Sequence, residues 1–262
     1  MRASNRARRT VRCQMINVID LNSDIGEVDD EYRDARIIEL VSSVNISCGV
    51  HAGTLERTRR TILMASEKNV AVGAHPGMPD SFGRSEQTID VRRAYDEVVR
   101  QLTAFKKAAN EVGTIVNHVK PHGALYNQVE QRKDLKKSVV DAIVSVFPGI
   151  KVYALAGGNL FQYAHERGLN PVGEFFADRV YLPNCTLISR TIEGSVISDP
   201  EEVSRRVVKA VIHGKFTASD DNDRRITFDS ICVHGDTDTA VSLVEIIRSD
   251  LRTLNIRIES VP

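Results

Sequence analysis

INVIDLNSDIGE, residues Ile16 to Glu27, joins an apolar run to a cluster of acids and amides, and this join recurs along the chain. Five more short apolar runs meet polar residues in the same way. Their clusters are Asn45-Ile46-Ser47-Cys48-Gly49-Val50-His51, Gly73-Ala74-His75-Pro76, His118-Val119-Lys120-Pro121-His122, Glu174-Phe175-Phe176-Ala177-Asp178-Arg179 and His234-Gly235-Asp236. A short apolar run is what a parallel strand buried on both faces looks like. Ligands of α/β folds gather at the carboxyl ends of such strands. Side chains far apart in sequence are therefore predicted to share one pocket. Five of the seven histidines lie in these clusters, and the other two, His165 and His213, fall in helix-like stretches.

From Ile16 onward, strand-like and helix-like stretches alternate along the chain. Strands are predicted at Ile16–Leu21, Val44–Ser47, Val70–Ala74, Ile115–Val119, Val152–Leu155, Val172–Phe176, Thr186–Ser189 and Ser230–His234. Helices are predicted at Asp34–Val41, Leu55–Lys68, Val91–Val112, Leu135–Val146, after Gly157-Gly158-Asn159, and at Glu201–His213 and Ala240–Leu254. Regular βα order means parallel strands with right-handed crossovers. Seven or eight such units favour a closed barrel over an open sheet. A single barrel domain is expected over 16–262, a usual length for one. Residues 1–15 carry Arg2, Arg6, Arg8, Arg9 and Arg12 and no acid, and are expected to form a disordered basic extension. Ala218–Arg225 is strongly polar and reads as an exposed loop.

Composition narrows the function. Lys plus Arg and Asp plus Glu are 35 each, so the formal net charge is zero. With no Trp and 5% aromatics, neither broad electrostatic attraction to nucleic acid nor base stacking is favoured. No apolar stretch approaches the ~20 residues of a membrane span. The four cysteines, Cys13, Cys48, Cys185 and Cys232, form no C-x-x-C pair. Reduced thiols in a cytoplasmic protein follow as the expectation.

Each cluster offers chemistry beside a plainer reading. Asp20, Asn22 and Asp24 share one side of a strand. Nearby carboxylates can divide into acid and base or hold a cation, while Asp24 or Glu27 can equally cap the next element. In the next cluster Asn45 and His51 are candidates, and Thr54 is a plausible N-cap. Cys48 reads better as a buried thiol than as a nucleophile. His75 precedes a Pro-Gly turn, and Arg84 follows a loop suited to bidentate anion capture. His118 and His122 have the spacing of a zinc pair on a helix, but Pro121 argues against a helix there. On a strand, His118 and Lys120 face the same way, and Lys120 can stabilise an oxyanion. Asp178 and Arg179 can be an ion pair or a carboxylate clamp. His234 with Asp236 is a usable acid–base unit. Gly157-Gly158-Asn159 resembles an anion nest at a helix start.

DLNSDIGE (Asp20–Glu27), SSVNISCGVHAGT (Ser42–Thr54), VGAHPGMPDSFGR (Val72–Arg84), HVKPHGALYN (His118–Asn127), EFFADRVY (Glu174–Tyr181) and CVHGDT (Cys232–Thr237) together resemble the LamB/YcsF family, in the family's order. The family is identified with the A subunit of ATP-dependent 5-oxoprolinase. The resemblance implies a distorted, open (β/α) barrel of seven or eight parallel strands, related to polysaccharide deacetylases. It implies opening of the lactam of 5-oxo-L-proline to L-glutamate with ATP hydrolysis, alongside partner subunits B and C. The chain has no G-x-x-x-x-G-K-[ST] loop, so ATP is expected to be handled mainly by those partners. On this view His75, His122 or His234 moves protons and Asp24 or Asp236 orients or acts as base. Lys120 meets the oxyanion, and Arg84 or Arg179 binds the substrate carboxylate, with Asn22, Asn45, His51 and Asp178 lining the site. Self-association is left open.

Two alternatives stand beside it. One is a metal-dependent, deacetylase-like hydrolase of a small amide or carbohydrate, with Asp24, His51 and His75 around a divalent ion. The other is a non-catalytic carrier or regulatory subunit. The departures from the family pattern are Ser23 in place of Cys, Val28-Asp29-Asp30 after the Gly-Glu pair, a shortened loop between Pro79 and Phe82, and Asn184-Cys185 in place of Asp-Gly.

Overall fold

Alternation along the first strand sorts its side chains to two sides. In β1 (Val18–Ile25), Asp20, Asn22 and Asp24 meet polar partners on neighbouring strands, while Ile19, Leu21 and Ile25 join the apolar core. The computed structural model describes residues 16–84 and 87–262, so the basic extension at 1–15 lies outside the described residues. After β1 come α1 (Glu31–Ile38), β2 (Ser43–Ser47), α2 (Leu55–Glu67), β3 (Ala71–His75), a 3-10 turn (Asp80–Gly83) and α3 (Val91–Glu111). Next are β4 (Val116–Val119), α4 (Gly123–Gln131), α5 (Lys133–Val146), β5 (Lys151–Leu155), α6 (Asn159–Glu166) and β6 (Asn170–Phe176). The chain ends with α7 (Pro200–His213), β7 (Lys215–Thr217), β8 (Asp223–Arg225), β9 (Ser230–His234), α8 (Ala240–Thr253) and β10 (Arg257–Ile258). Helix starts are set locally: Asp30, Thr54, Asp90 and Asp199 each accept a hydrogen bond from a first-turn backbone N–H.

Strands β1 to β6 pair in sequence order, all parallel, and β9 follows β6. β9 also pairs with β1 from Asp20↔Ser230 to Asp24↔His234, which closes a seven-stranded barrel. β10 adds an eighth strand beside the start of β1. The distortion sits at β4. Its register slips between Val72 and Gly73 on β3, and only His118↔Lys151 and Val119↔Val152 pair it to β5. The openness implied by the resemblance survives only as this thin seam.

Three corrections to the sequence reading follow. Thr186–Ser189 makes no strand, and only Leu187 bridges to Tyr181. The polar stretch Ala218–Arg225 is partly ordered, because β8 pairs antiparallel with β7. Polar side chains suit such a hairpin, which is solvated on its outer side. Helix α4 was not predicted, since Pro121 and Gly123 mask the short apolar period that follows.

Inward-facing side chains meet across the barrel in layers. Asp20, Ser43, Tyr153 and Ser230 form the lowest. Asn22, Asn45 and His118 come next, then Asp24, His75, Lys120, Phe176 and His234, with Glu174 and Cys232 beside Lys120. A polar interior needs internal partners. Asp20 accepts from Ser42 and Ser43, each at 2.6 Å, from Tyr153 at 2.9 Å and from Ser230. Asn45 donates to Asn22 and Asp24, both 2.8 Å away, and accepts from His118 Nε2 at 2.8 Å.

Gly73 makes room for this column. A Cβ there would stand 2.0 Å from His118 Nε2, and Asn45 and the Tyr153 ring hold that imidazole in place. Gly73→Ala is expected to lose about 1–3 kcal/mol of stability through overpacking. Urea unfolding measures it, and an unchanged midpoint would mean that the imidazole is free to move.

Candidate active site

The top layer and the loops above it bring most of the predicted residues together. Asp24, His75, Arg84, Lys120, His122, Arg179 and His234 line one cavity of about 720 Å³, a usual size for a small-molecule site. Asn22 and Asn45 lie one layer lower, where they position Asp24 and His118.

Lys120, just past the end of β4, is fully buried. Its Nζ donates to Asp24 Oδ1 at 2.9 Å and to Cys232 Sγ at 3.1 Å, and lies 3.0 Å from Glu174 Oε2. The Phe176 ring lies 5.0 Å away. Burial opposes the ammonium charge, but Asp24 and the other acidic groups hold its pKa well above the usual lysine value. Burial likewise opposes the Asp24 carboxylate, and Lys120, His75 and His234 outweigh it, keeping Asp24 ionised. Glu174 keeps a raised pKa because burial prevails there.

Glu27 follows the end of β1. Gly26, at φ +75°, turns the chain so that this carboxylate comes back over the barrel mouth. Three imidazoles surround its Oε1: His122 Nδ1 at 2.8 Å, His51 Nε2 at 3.1 Å and His75 Nε2 at 3.5 Å. The His51 and His122 rings stack with centroids 3.8 Å apart. One ligand atom from each of these four residues lies within 4.8 Å of the others, and all four residues are buried. His75 Nδ1 donates to the Lys120 carbonyl at 2.7 Å, which leaves Nε2 as the lone-pair nitrogen facing Glu27. This is the outer hydrogen bond that metal-binding histidines usually have. Burial would raise the Glu27 pKa, but His122 and His51 hold it well below the carboxylate range. Of the ligands predicted from sequence, His51 and His75 belong to this quartet. Asp24 stands beside it, with Oδ2 3.5 Å from His75 Nε2.

His234 is oriented from behind. Its Nδ1 donates to Asp178, 3.0 Å from both oxygens, and its Nε2 faces Asp24 Oδ2 at 3.9 Å. Asp236 is paired elsewhere. Arg84 Nη2 reaches its Oδ2 at 2.6 Å, and Arg190 contacts both oxygens at 3.1 and 3.3 Å. Burial opposes that carboxylate's charge, but His234, Arg190 and Arg84 bring its pKa to about 2.

The remaining sequence candidates have structural roles here. Burial pushes the Cys48 thiol up to about 12, as expected of an inert cysteine. Ser23 points away from the interior and donates to the Val233 carbonyl at 2.7 Å. The helix start at Asn159 holds an internal anion, because Glu130 accepts from the Asn159 and Leu160 backbone N–H groups. Cys185 sits at φ +67°, where glycine is the easier residue.

Sequence reasoning did not rank Glu174, Cys232 or Arg190 as site residues. Glu174 opens one of the six clusters but lies inside the predicted strand Val172–Phe176, where the neighbouring residues are mostly apolar, and Arg190 lies on a loop without periodicity. The inward parity of β6 and β9 was the available signal for the first two.

The buried histidines make stability depend on pH. Burial lowers His75 and His118 from the ordinary 6.5 to about 3. Between those values the unfolded chain binds protons that the folded chain does not, so their contribution is present above 6.5 and is lost as pH falls toward 3. Each pH unit inside that window costs about 1.4 kcal/mol per histidine. Urea midpoints of the metal-free protein at pH 7, 5.5 and 4.5 should fall in that order. A midpoint rising toward acid would contradict neutral burial.

Among the described residues, no helix is long and apolar enough to cross a membrane. Known proteins resemble this chain along most of its length. The chain is 41% identical over 247 residues to the 5-oxoprolinase A subunit of Corynebacterium jeikeium, covering 92% of this chain and 96% of the relative. It is 38% identical over 250 residues to the 5-oxoprolinase A subunit of Bacillus licheniformis, covering 94% and 99%. The crystal structure of lactam utilization protein from Thermus thermophilus superposes with a TM-score of 0.85 at 33% identity, over 93% of this chain and 100% of that one. The polysaccharide deacetylase Bc1974 from Bacillus cereus shares the fold alone, with a TM-score of 0.51 at 12% identity over 94% and 92%. The LamB/YcsF family model matches residues 19–262, and the chain belongs to that family.

Proposed function

We propose that this chain is the A subunit of an ATP-dependent 5-oxoprolinase, opening the lactam of 5-oxo-L-proline to L-glutamate while partner subunits B and C handle most of the ATP chemistry. The observation that carries the reading is the meeting of the Glu27–His51–His75–His122 quartet and the Asp178–His234 pair beside Asp24, with His75, His122 and His234 lining one cavity. The names of the relatives support the substrate.

The quartet is also the candidate metal centre. Three imidazole nitrogens and one carboxylate oxygen are a donor set that divalent zinc and its first-row neighbours favour. An ion held there supplies a Lewis acid for the lactam carbonyl oxygen. The protein residues supply the rest. Asp24, kept ionised by Lys120, accepts a hydrogen bond from the attacking water. His234 Nε2 takes a proton from that water and returns it to the ring nitrogen as the C–N bond breaks, while Asp178 fixes its tautomer and orientation. Lys120 has Asp24, Glu174 and Cys232 around its ammonium. Its charge therefore acts on the developing oxyanion mainly through Asp24 and the local field. Burial lowers the His51 and His75 pKa values, which keeps both imidazoles in the neutral form that a ligand needs.

The three described cysteines are free thiols, in keeping with a reducing, cytoplasmic compartment. The test is glutamate release from 5-oxo-L-proline and ATP by this chain alone, by B and C alone, and by all three together. Release only from the full set, lost in His234→Asn, supports the reading. Equal release by B and C without this chain would overturn it.

A further inference from the structure

Arg179 is a buried cation without an acid. It lines the cavity and is 3% exposed. Nη2 donates to the Ile188 carbonyl, and Nε is buried without a hydrogen-bond partner. The other buried cations of the site region are provided for. Lys120 has Asp24 and Glu174, Arg57 has Asp34 at 3.0 Å, and Arg190 shares Asp236 with Arg84. Among the described residues, no carboxylate pairs with Arg179 in this way. Burying an unpaired guanidinium is costly. Its surroundings add to that cost. Burial and then Arg190 bring its pKa down to about 10, and Asp178, which opposes them, is already committed to His234. The missing counter-charge is therefore expected to arrive with a ligand.

We propose that Arg179, with Arg190 beside it, is the anion subsite of the cavity and takes the carboxylate of a small cyclic amide. The assignment rests on the lactam reading above and adds a selection rule to it: the substrate must be anionic. Three features support it. Leu155, Phe176, Leu187 and Val196 line the same cavity and suit a small carbon ring. Arg190 contacts Asp236 at 3.1 and 3.3 Å, longer than the 2.6 Å of Arg84, so Arg84 can keep that acid while Arg190 turns toward a ligand. A guanidinium and a carboxylate also match in a bidentate fork that an ammonium cannot reproduce.

The experiment is calorimetric titration of the full chain with three compounds. They are 5-oxo-L-proline, its uncharged carboxamide, and cyclopentanecarboxylate, which keeps the ring and the charge but lacks the lactam. Wild type should bind 5-oxo-L-proline about 10- to 100-fold more tightly than the carboxamide, the range for hydrogen bonds to a charged group. Arg179→Met should bring that ratio close to one, and Arg179→Lys should restore part of it. Equal wild-type affinity for acid and carboxamide would overturn the proposal without any variant. So would a ratio that persists in Arg179→Met. If cyclopentanecarboxylate binds as tightly as 5-oxo-L-proline and depends on Arg179, the anion subsite stands and the lactam reading fails.

Discussion

Lys120→Met is expected to lower kcat of the assembled enzyme at least a hundredfold, toward the ~10²–10³ that removal of a positioned charge typically costs. Methionine keeps most of the stem's volume and deletes the charge. Asp24 Oδ1 and Glu174 Oε2, 2.9 and 3.0 Å from Nζ, then share a closed interior with no cation between them. Two such carboxylates cannot both stay ionised cheaply. Glu174, already raised by burial, takes a proton first, and Asp24 loses the charge that held it ionised. Breaking a buried pair from one side typically costs about 3–5 kcal/mol of stability, so activity alone would be ambiguous. Adding Glu174→Gln separates the effects. The double variant removes the stranded acid and should recover much of the urea midpoint, while kcat stays low because Asp24 still lacks its partner. Near wild-type turnover in either variant would make Lys120 a purely structural residue.

How much of this was legible in the sequence depends on where each residue stands. Period-two alternation placed Asp20, Asn22 and Asp24 on one face, and the βα order placed His75, Lys120 and His234 at the same end. Those inferences follow from strand geometry and needed no tertiary information. They stop where the strand stops. Glu27 lies past Gly26, and His51 and His122 lie on loops, so their meeting around one carboxylate oxygen depends on turns that periodicity does not encode. Arg190 is harder still, since only the long connection after β6 brings it to Asp236. The polar interior also reversed one intuition. Glu174 and Cys232 sit among Phe and Val and read as parts of apolar strands, yet the barrel register turns both toward Lys120.

The quartet is expected to bind one divalent ion per chain, and its loss to be visible without any assay of turnover. Glu27 Oε1 has three imidazole nitrogens within 3.5 Å. Without an ion, one carboxylate must be satisfied by imidazole N–H groups. With one, the same atoms become ligands once the bound protons leave. The His75 Nε2 lone pair is already exposed to the centre by the bond from Nδ1 to the Lys120 carbonyl. Titration of chelator-treated protein with Zn²⁺ should raise the unfolding temperature in a saturable way. A ligand at a hundred times its dissociation constant adds about 2.7 kcal/mol of stability. Co²⁺ should give visible absorption bands from its nitrogen- and oxygen-ligated form. His75→Gln keeps a hydrogen-bonding side chain of similar reach, and Glu27→Gln removes the charge with little change of shape. Each should weaken Zn²⁺ affinity by more than the ~10–100-fold that follows loss of a residue merely orienting a ligand, since both remove a direct ligand. Binding should also weaken as pH falls, because protons compete for the imidazoles. Two results would oppose the assignment: no Zn²⁺-dependent stabilisation of wild type, or equal stabilisation of both variants. Either would leave the quartet as an acid–imidazole hydrogen-bond network, and polarisation of the lactam carbonyl would have to come from Lys120 and its surroundings.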